Sequence, residues 1–442
     1  MTRSSRGTWL TAAGSAVAGI AGLLLPVFGT TGAAQAAPAA QAAASGIHVS
    51  NGRIYEANGS EFVMRGVNHA YAWYPGETDA IADIAAKGAN TVRVVLSSGD
   101  RWTETSATQV SSIIDDCKTS KVICVLEVHD TTGYGEDGAA ASLDQAADYW
   151  VGVKGALQGQ EDYVVVNIGN EPYGNSGYTA WTGATKSAIG KLRNAGIANA
   201  LMVDAPNWGQ DWSNTMRSNA ASVFTSDPHR NTIFSIHMYG VYDTAAEVQG
   251  YLNHFVNNGL PIVVGEFGDN HSDGNPDENA IMATARSLRV GYLGWSWSGN
   301  GSGVEYLDMV NGFAPNSLTA WGNRFFNGAD GISTTSTRAT IYGGGNGGGG
   351  GDTGGTAPNG YPYCVNGGSS DPDGDGWGWE NSRSCVVRGS AADTGSGGGD
   401  TGGTAPNGYP YCAGGSGSDP DGDGWGWENQ RSCVVRGSAA DR

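Results

Sequence analysis

Two glutamates each stand directly after an apolar run, Glu171 after VVVNIGN and Glu266 after PIVVG. An ionised carboxylate at the end of a buried strand is costly unless it is paired or used. Two such groups facing each other are the pair that hydrolysis of a glycosidic bond requires. One protonates the departing oxygen, and the other attacks the anomeric carbon or activates a water, depending on their separation. Glu127 and Asp130 compete for these roles. Val125, Glu127 and His129 share one strand face, and Glu127 lies deeper, where a hydrogen bond to a basic neighbour is the expected role.

Other residue types suited to the same chemistry recur along the chain. Arg93 and Tyr239 favour the charged form of a carboxylate nucleophile, one by its charge and the other by a hydrogen bond. His129 and His237 are suited to holding sugar hydroxyls or orienting the acid. Trp295 offers a flat apolar face to the C–H face of a pyranose, and Trp73, Trp102, Trp208, Trp212 and Trp297 are further candidate platforms or core residues.

Side chains so far apart in sequence meet only if a fold gathers strand ends. Between residues 47 and 342 an amphipathic stretch, a glycine and a β-branched run recur. Ile81, Ile84 and Ala85 lead through Gly88 into TVRVVL, and Val248, Leu252 and Phe255 lead through Gly259 into PIVVGEF. This is the pattern of parallel βα units. Eight strands are expected, near Phe62–Asn68, Thr91–Leu96, Val122–His129, Val164–Asn170, Leu201–Asp204, Ile233–Met238, Pro261–Gly265 and Tyr292–Trp297. Eight units over 47–342 predict an α/β fold, a (β/α)8 TIM barrel, with its chemistry where the strands end. The strand ends are polar, including Asn68, Glu127, Asn170 and Asp204. An open doubly wound sheet is the alternative, but no GxGxxG or GxxxxGK[ST] motif follows the first strand.

The rest of the 442 residues divides by composition. Residues 1–36 combine Arg3 and Arg6, an apolar run and Ala34-Gln35-Ala36, the layout of a cleaved signal peptide, so a secreted, extracellular protein is expected. Lys and Arg number 24 against 43 Asp and Glu, a net charge of −19 with no basic stripe. Nucleic acid and anionic membrane are thereby excluded as partners. The tail repeats itself: TAPNGYPYC at 356–364 recurs at 404–412, and DPDGDGWGWEN at 371–381 recurs at 419–429. Two modules, 356–392 and 404–442, follow linkers at 343–355 and 393–403 that are rich in glycine. Each module is too small to rely on a hydrophobic core and carries one cysteine pair. The order of the six cysteines favours local disulfides, Cys117 with Cys124, Cys364 with Cys385 and Cys412 with Cys433.

Asn170-Glu171-Pro172, Gly265-Glu266-Phe267-Gly268 and His237-Met238-Tyr239, with Arg93, His129 and Trp295 in order, resemble glycoside hydrolase family 5. Through GVNHAYAWY, NIGNEPYGN and GWSWSGNG the chain is most similar to that family's bacterial endo-β-1,4-mannanases. The resemblance implies a retaining double displacement with Glu171 as acid/base and Glu266 as nucleophile. It also implies that Arg93, His129, Asn170, His237, Tyr239 and Trp295 surround the sugar, with Asn170 on its 2-hydroxyl. The substrate implied is β-1,4-mannan, including glucomannan and galactomannan. An endo-β-1,4-glucanase (a cellulase) is the alternative within the chemical class, and a non-catalytic polysaccharide-binding protein the alternative outside it.

The tail copies resemble family 10 carbohydrate-binding modules. That likeness implies a binding face of Tyr361, Trp377 and Trp379, repeated as Tyr409, Trp425 and Trp427, for insoluble cellulose or mannan. Each copy has one cysteine pair where some members have two. The reaction needs no cofactor, no catalytic metal is expected, and a monomer is expected. Calcium is the minor reading for two acidic segments. One is Asp269–Glu278; the other is the Asp371-Pro372-Asp373-Gly374-Asp375-Gly376 turn, which lacks the twelfth-position glutamate of a calcium loop, with Ser382 and Gln430 in that place in the two copies.

Overall fold

The computed structural model describes residues 46–301 and 303–343. In the tail it describes 357, 361–364, 376–380, 383–387, 390, 405–406, 409–412, 418, 424–428 and 431–441. The expected signal at 1–36, the expected linkers beyond Gly343, the aspartates of both DPDGD turns, and Ser382 and Gln430 lie outside the described residues.

Eight parallel strands close into a barrel: β3 (Arg65–His69), β4 (Thr91–Leu96), β5 (Ile123–Val128), β6 (Val164–Asn167), β7 (Ala200–Asp204), β8 (Thr232–Met238), β9 (Ile262–Phe267) and β10 (Gly291–Gly294). A short antiparallel hairpin, β1 (His48–Ser50) with β2 (Arg53–Tyr55), precedes them. The strands alternate with α1 (Ala80–Ala86), α2 (Ala107–Ser120), α3 (Leu143–Leu157), α4 (Trp181–Asn194), α5 (Thr215–Ser226), α6 (Ala245–Asn257) and α7 (Glu278–Leu288), and α8 (Ala320–Asn327) and α9 (Ile332–Thr335) follow β10. The first barrel strand starts later than the sequence suggested because the Phe62 amide bonds back to the Ile54 carbonyl of the hairpin (2.8 Å). Ser106, Ser142 and Thr244 start α2, α3 and α6 by capping boxes closed by Gln109, Gln145 and Glu247.

Along each strand, side chains alternate between the barrel interior and the helix layer. The interior packs Ile123, Val125, Val165, Ala200, Met202, Ile233, Val263 and Leu293, closed from below by Ile47, Ile54 and Phe62. Two residues further along the same inward register come Glu127, Asn167 and Asp204, and on β8 Ser235 and then His237, all buried. An apolar plug thus carries a polar layer, and the cleft opens above it.

The disulfide expected between Cys117 and Cys124 is not formed. Both are buried free thiols with sulfurs 2.7 Å apart, beyond the bonded distance of about 2.05 Å. The helix-to-strand turn brings them side by side without joining them. In the tail, Cys364–Cys385 and Cys412–Cys433 are bonded as expected. Each ties a segment to a two-stranded hairpin, β11 (Trp377–Glu380) with β12 (Arg383–Val386) in the first copy and β13 (Trp425–Glu428) with β14 (Arg431–Val434) in the second, in the same register.

Candidate active site

Glu266 reaches the barrel interior by a break in the strand pattern. Ile236 pairs with Val264 but His237 pairs with Glu266, so β9 carries one extra residue, Gly265. Val263 faces inward. Without the bulge, strict alternation would put Glu266 among the helices. Glycine is required there because an added Cβ would overlap Ser235 Oγ. Glu171 lies beyond β6 in the left-handed region, with φ +40°, a conformation that costs free energy and concentrates at functional sites.

Arg93 organises the polar layer. Its Nη1 donates to Glu266 Oε1 at 2.7 Å and to Asn68 Oδ1 at 2.9 Å, its Nε to Asn167 Oδ1 at 2.9 Å, and its Nη2 to Asn170 Oδ1 at 2.7 Å and Asp204 Oδ2 at 3.0 Å. Every donor is satisfied, as a fully enclosed guanidinium requires. The Tyr239 hydroxyl donates to Glu266 Oε2 at 3.0 Å. Burial, reinforced by Glu266, keeps this phenol neutral and therefore a donor. His237 Nδ1 lies 2.7 Å from Glu171 Oε1. One oxygen of each glutamate and His237 Nδ1 lie within 4.8 Å of one another.

Burial disfavours the charged form of Glu266 and raises its pKa, while His237 and Arg93 oppose that rise. Burial also works against a charge on His237, but Glu266, Asp204 and Glu171 outweigh it and lift the imidazole to about 10. His129 is likewise lifted, since Glu127 overcomes burial. Its Nδ1 lies 2.8 Å from Glu127 Oε1, a hydrogen bond of Glu127 to a basic neighbour. Asp130 is no rival for catalysis: it accepts from the Ser97 hydroxyl and the Ser98 and Arg101 amides, fixing the loop after β4.

The cleft above, of about 560 Å³, is lined by His129, Asn170, Glu171, Tyr239, Glu266 and Trp295, with Trp73 and Tyr74 at one side. Trp295 and His129 stack at 5.7 Å, and the Trp295 indole N–H is held by Asn300 at 2.8 Å. Trp73 meets both His129 and Trp102 edge-on. Trp208 packs over Gly133 and donates to Glu136. Trp212 is exposed and turns an edge to Tyr178. Trp297 is fully buried against Phe326 and is core, not a platform. His271, which the sequence did not single out, also lines the cleft and stacks on Tyr239 at 4.4 Å.

The acidic segment Asp269–Glu278 does not form a cation cage. Asp273 is engaged by His271, Gln210 and the Gly240 amide, and Asp277 caps α7. Among the described residues, the one cluster of three ligand groups is Glu171, His237 and Glu266, where Arg93 already supplies the positive charge. In the tail, Tyr361 and Trp377 meet edge to face at 4.8 Å, as do Tyr409 and Trp425, and both tyrosines are exposed. The side chains of Trp379 and Trp427 lie outside the described residues.

Gly209 fixes the position of His237. It has φ +72°, its carbonyl accepts from the His237 amide at 2.9 Å, and an added Cβ would fall 2.5 Å from Nδ1. Gly209→Ala should therefore displace the imidazole, lowering kcat at least about tenfold and stability by about 1–3 kcal/mol. Steady-state kinetics and denaturant unfolding check both effects.

A closed (β/α)8 barrel that gathers two glutamates within reach of one sugar, one of them held by an arginine and a tyrosine, defines a two-carboxylate glycoside hydrolase. The chain belongs to glycosyl hydrolase family 5, whose cellulase-type domain matches residues 55–301. Residues 353–387 and 401–435 match a cellulose or protein binding domain, CBM_10. The chain is 76% identical to a mannan endo-1,4-beta-mannosidase of Streptomyces lividans over 392 residues, 88% of this chain and 100% of the relative. It is 54% identical to one of Cellvibrio japonicus over 352 residues, 79% of this chain and 81% of that one. The beta-mannanase structure from Thermomonospora fusca is 59% identical, with a TM-score of 0.67, over 68% of this chain and 100% of that one.

Among the described residues, no helix is long and apolar enough to cross a membrane.

Proposed function

We propose that the protein is a secreted, monomeric, endo-acting β-1,4-mannanase that works by retaining double displacement. The observation that carries the chemistry is that one carboxylate oxygen of Glu171 and one of Glu266 lie within 4.8 Å of each other. That spacing suits direct attack and leaves too little room for the intervening water of an inverting enzyme. Glu266, held ionised by Arg93 and Tyr239, attacks the anomeric carbon as its bond to oxygen breaks, and Glu171 gives its proton to the departing oxygen. Glu171 then takes a proton from water as that water attacks the same carbon, and the bond to Glu266 breaks. Asn170, whose Oδ1 is occupied by Arg93 and whose Nδ2 now donates to Thr132 Oγ1 at 2.9 Å, turns an amide N–H to the sugar 2-hydroxyl. His129, Trp295 and Trp73 form the wall on which the sugar packs. Both reactive groups come from the chain, so no step calls for a cofactor.

The mannan assignment is supported by the identity to the Streptomyces relative across the whole of its length. Glucomannan and galactomannan are included as substrates. The domains are read as a signal at 1–36, a barrel at 47–342 and modules at 356–392 and 404–442, which hold the enzyme to insoluble cellulose or mannan through their exposed aromatics. Two modules on one chain raise its local concentration there.

Hydrolysis of mannan, glucomannan, galactomannan and carboxymethylcellulose side by side tests the reading. Fast release of reducing ends from the mannans and little from carboxymethylcellulose is expected, and the reverse order would make the enzyme a cellulase. Reducing the disulfides should also separate the two functions. Each closes a separation of 21 residues, a constraint that contributes about 3 kcal/mol, whereas the barrel has no disulfide. Dithiothreitol should therefore abolish cellulose pull-down while activity on soluble mannan persists.

A further inference from the structure

Asp204, at the end of β7, is enclosed and belongs to neither glutamate role, yet it touches the supports of both. Its Oδ2 accepts from Arg93 Nη2 at 3.0 Å, faces His237 Nε2 at 3.3 Å off the line of a good hydrogen bond, and meets the Glu171 backbone N–H at 3.4 Å. Its Oδ1 accepts from Asn167 Nδ2 at 3.0 Å. One carboxylate thus joins the cation that holds Glu266 to the imidazole that holds Glu171.

We propose that Asp204 is a positioning residue that keeps a proton on the His237–Glu171 pair, ready for the acid step, while sharing Arg93 with Glu266. The proposal rests on the reading of Glu171 as acid/base.

A buried carboxylate persists only when it is paired, and here the pairing serves the site. Burial would raise the Asp204 pKa, but Arg93, His237 and Asn167 outweigh it and bring it to about 2, so the group is an anion at neutral pH. The groups facing His237 are Asp204 from β7, Glu266 from β9 and Glu171 from the loop after β6, with Arg93 of β4 on the far side of both Asp204 and Glu266. Nδ1 and the Glu171 oxygen, 2.7 Å apart, share one proton. A fixed negative charge beside Nε2 raises the proton affinity of that pair, whichever atom holds the proton. The backbone of Asp204 is secured separately, since its carbonyl accepts from the Trp181 indole at 2.8 Å. Loss of the side-chain charge therefore leaves the strand in place.

The test is kcat and KM against pH on a mannan oligosaccharide for the wild type and Asp204→Asn, with melting curves for both. In Asp204→Asn the alkaline limb of kcat/KM should move down by about one pH unit or more, and kcat should fall with KM nearly unchanged. A uniform loss with the limb unmoved would assign Asp204 to structure alone and overturn the proposal. If Asp204→Asn does not fold, ¹⁵N NMR of histidine-labelled and ¹³C NMR of glutamate-labelled wild type decide: at neutral pH a His237 ring protonated on both nitrogens, or a protonated Glu171 carboxyl, supports the proposal, and a neutral ring beside an ionised Glu171 refutes it. Glu171→Ala on a dinitrophenyl mannoside, whose leaving group needs no proton, isolates the underlying reading. Loss of the alkaline limb there supports Glu171 as the acid, and its persistence refutes that assignment independently of Asp204.

Discussion

Glu266→Ala should lower kcat on mannan by on the order of 10⁴-fold or more, because no other group stands where a covalent bond to the sugar can form. The fold should survive. Arg93 keeps Asp204 at 3.0 Å, Glu127 at 3.8 Å and three asparagine acceptors, so it does not become an unpaired buried cation. Binding of insoluble cellulose should be unchanged, since the modules are separate from the barrel chemistry. Azide should restore turnover by entering from the vacated side and giving the α-mannosyl azide. In the wild type, the raised Glu266 pKa sets the acidic limb of kcat/KM. The active carboxylate is lost as pH falls through that value, so the limb should lie above the ordinary glutamate pKa of about 4.3.

Glu171→Ala should behave differently. Its absence removes proton transfer to the leaving oxygen and from the incoming water, worth about 10²–10⁴-fold on mannan. An aryl mannoside with an acidic leaving group should form its glycosyl-enzyme at nearly the wild-type rate. Turnover then stalls at the second step, and azide should accelerate it to give the β-mannosyl azide, the opposite anomer from that of Glu266→Ala. The same anomer from both variants would exclude the two roles as assigned. His237, 2.7 Å from Glu171 in the wild type, cannot substitute as acid because it is fully buried and its proton is held by the remaining anions, Asp204 and Glu266.

The barrel was legible because a helical stretch, a glycine and an apolar run recur, as in Gly88 before TVRVVL and Gly259 before PIVVGEF, and the polar strand ends followed from it. Glu171 and Glu266 stood out because each breaks an apolar run. Asn68 and Asp204 were legible only as polar strand ends, and Asn167 not at all. Their meeting at Arg93 depends on which inward positions of different strands share a level, and strand stagger, not spacing along one strand, decides that. The bulge at Gly265 was hidden for a related reason: a glycine before a polar residue reads as the end of a strand, whereas here it turns the next side chain inward. Trp295 and Trp297 have the same parity, but the regular strand ends at Gly294, so alternation no longer governs them and one reaches the cleft while the other enters the core. Cys117 and Cys124 show the same limit: sequence proximity placed the two thiols together but did not determine whether they are bonded.

The most direct measurement is mass spectrometry of the enzyme after treatment with a 2-deoxy-2-fluoro-mannosyl fluoride, which slows hydrolysis of a glycosyl-enzyme enough to trap it. A single added fluoromannosyl group on the peptide containing Glu266 is expected, with activity lost in proportion and regained as the label hydrolyses. A label on Glu171, or none while the reagent is turned over with inversion, would contradict the double displacement proposed for this site.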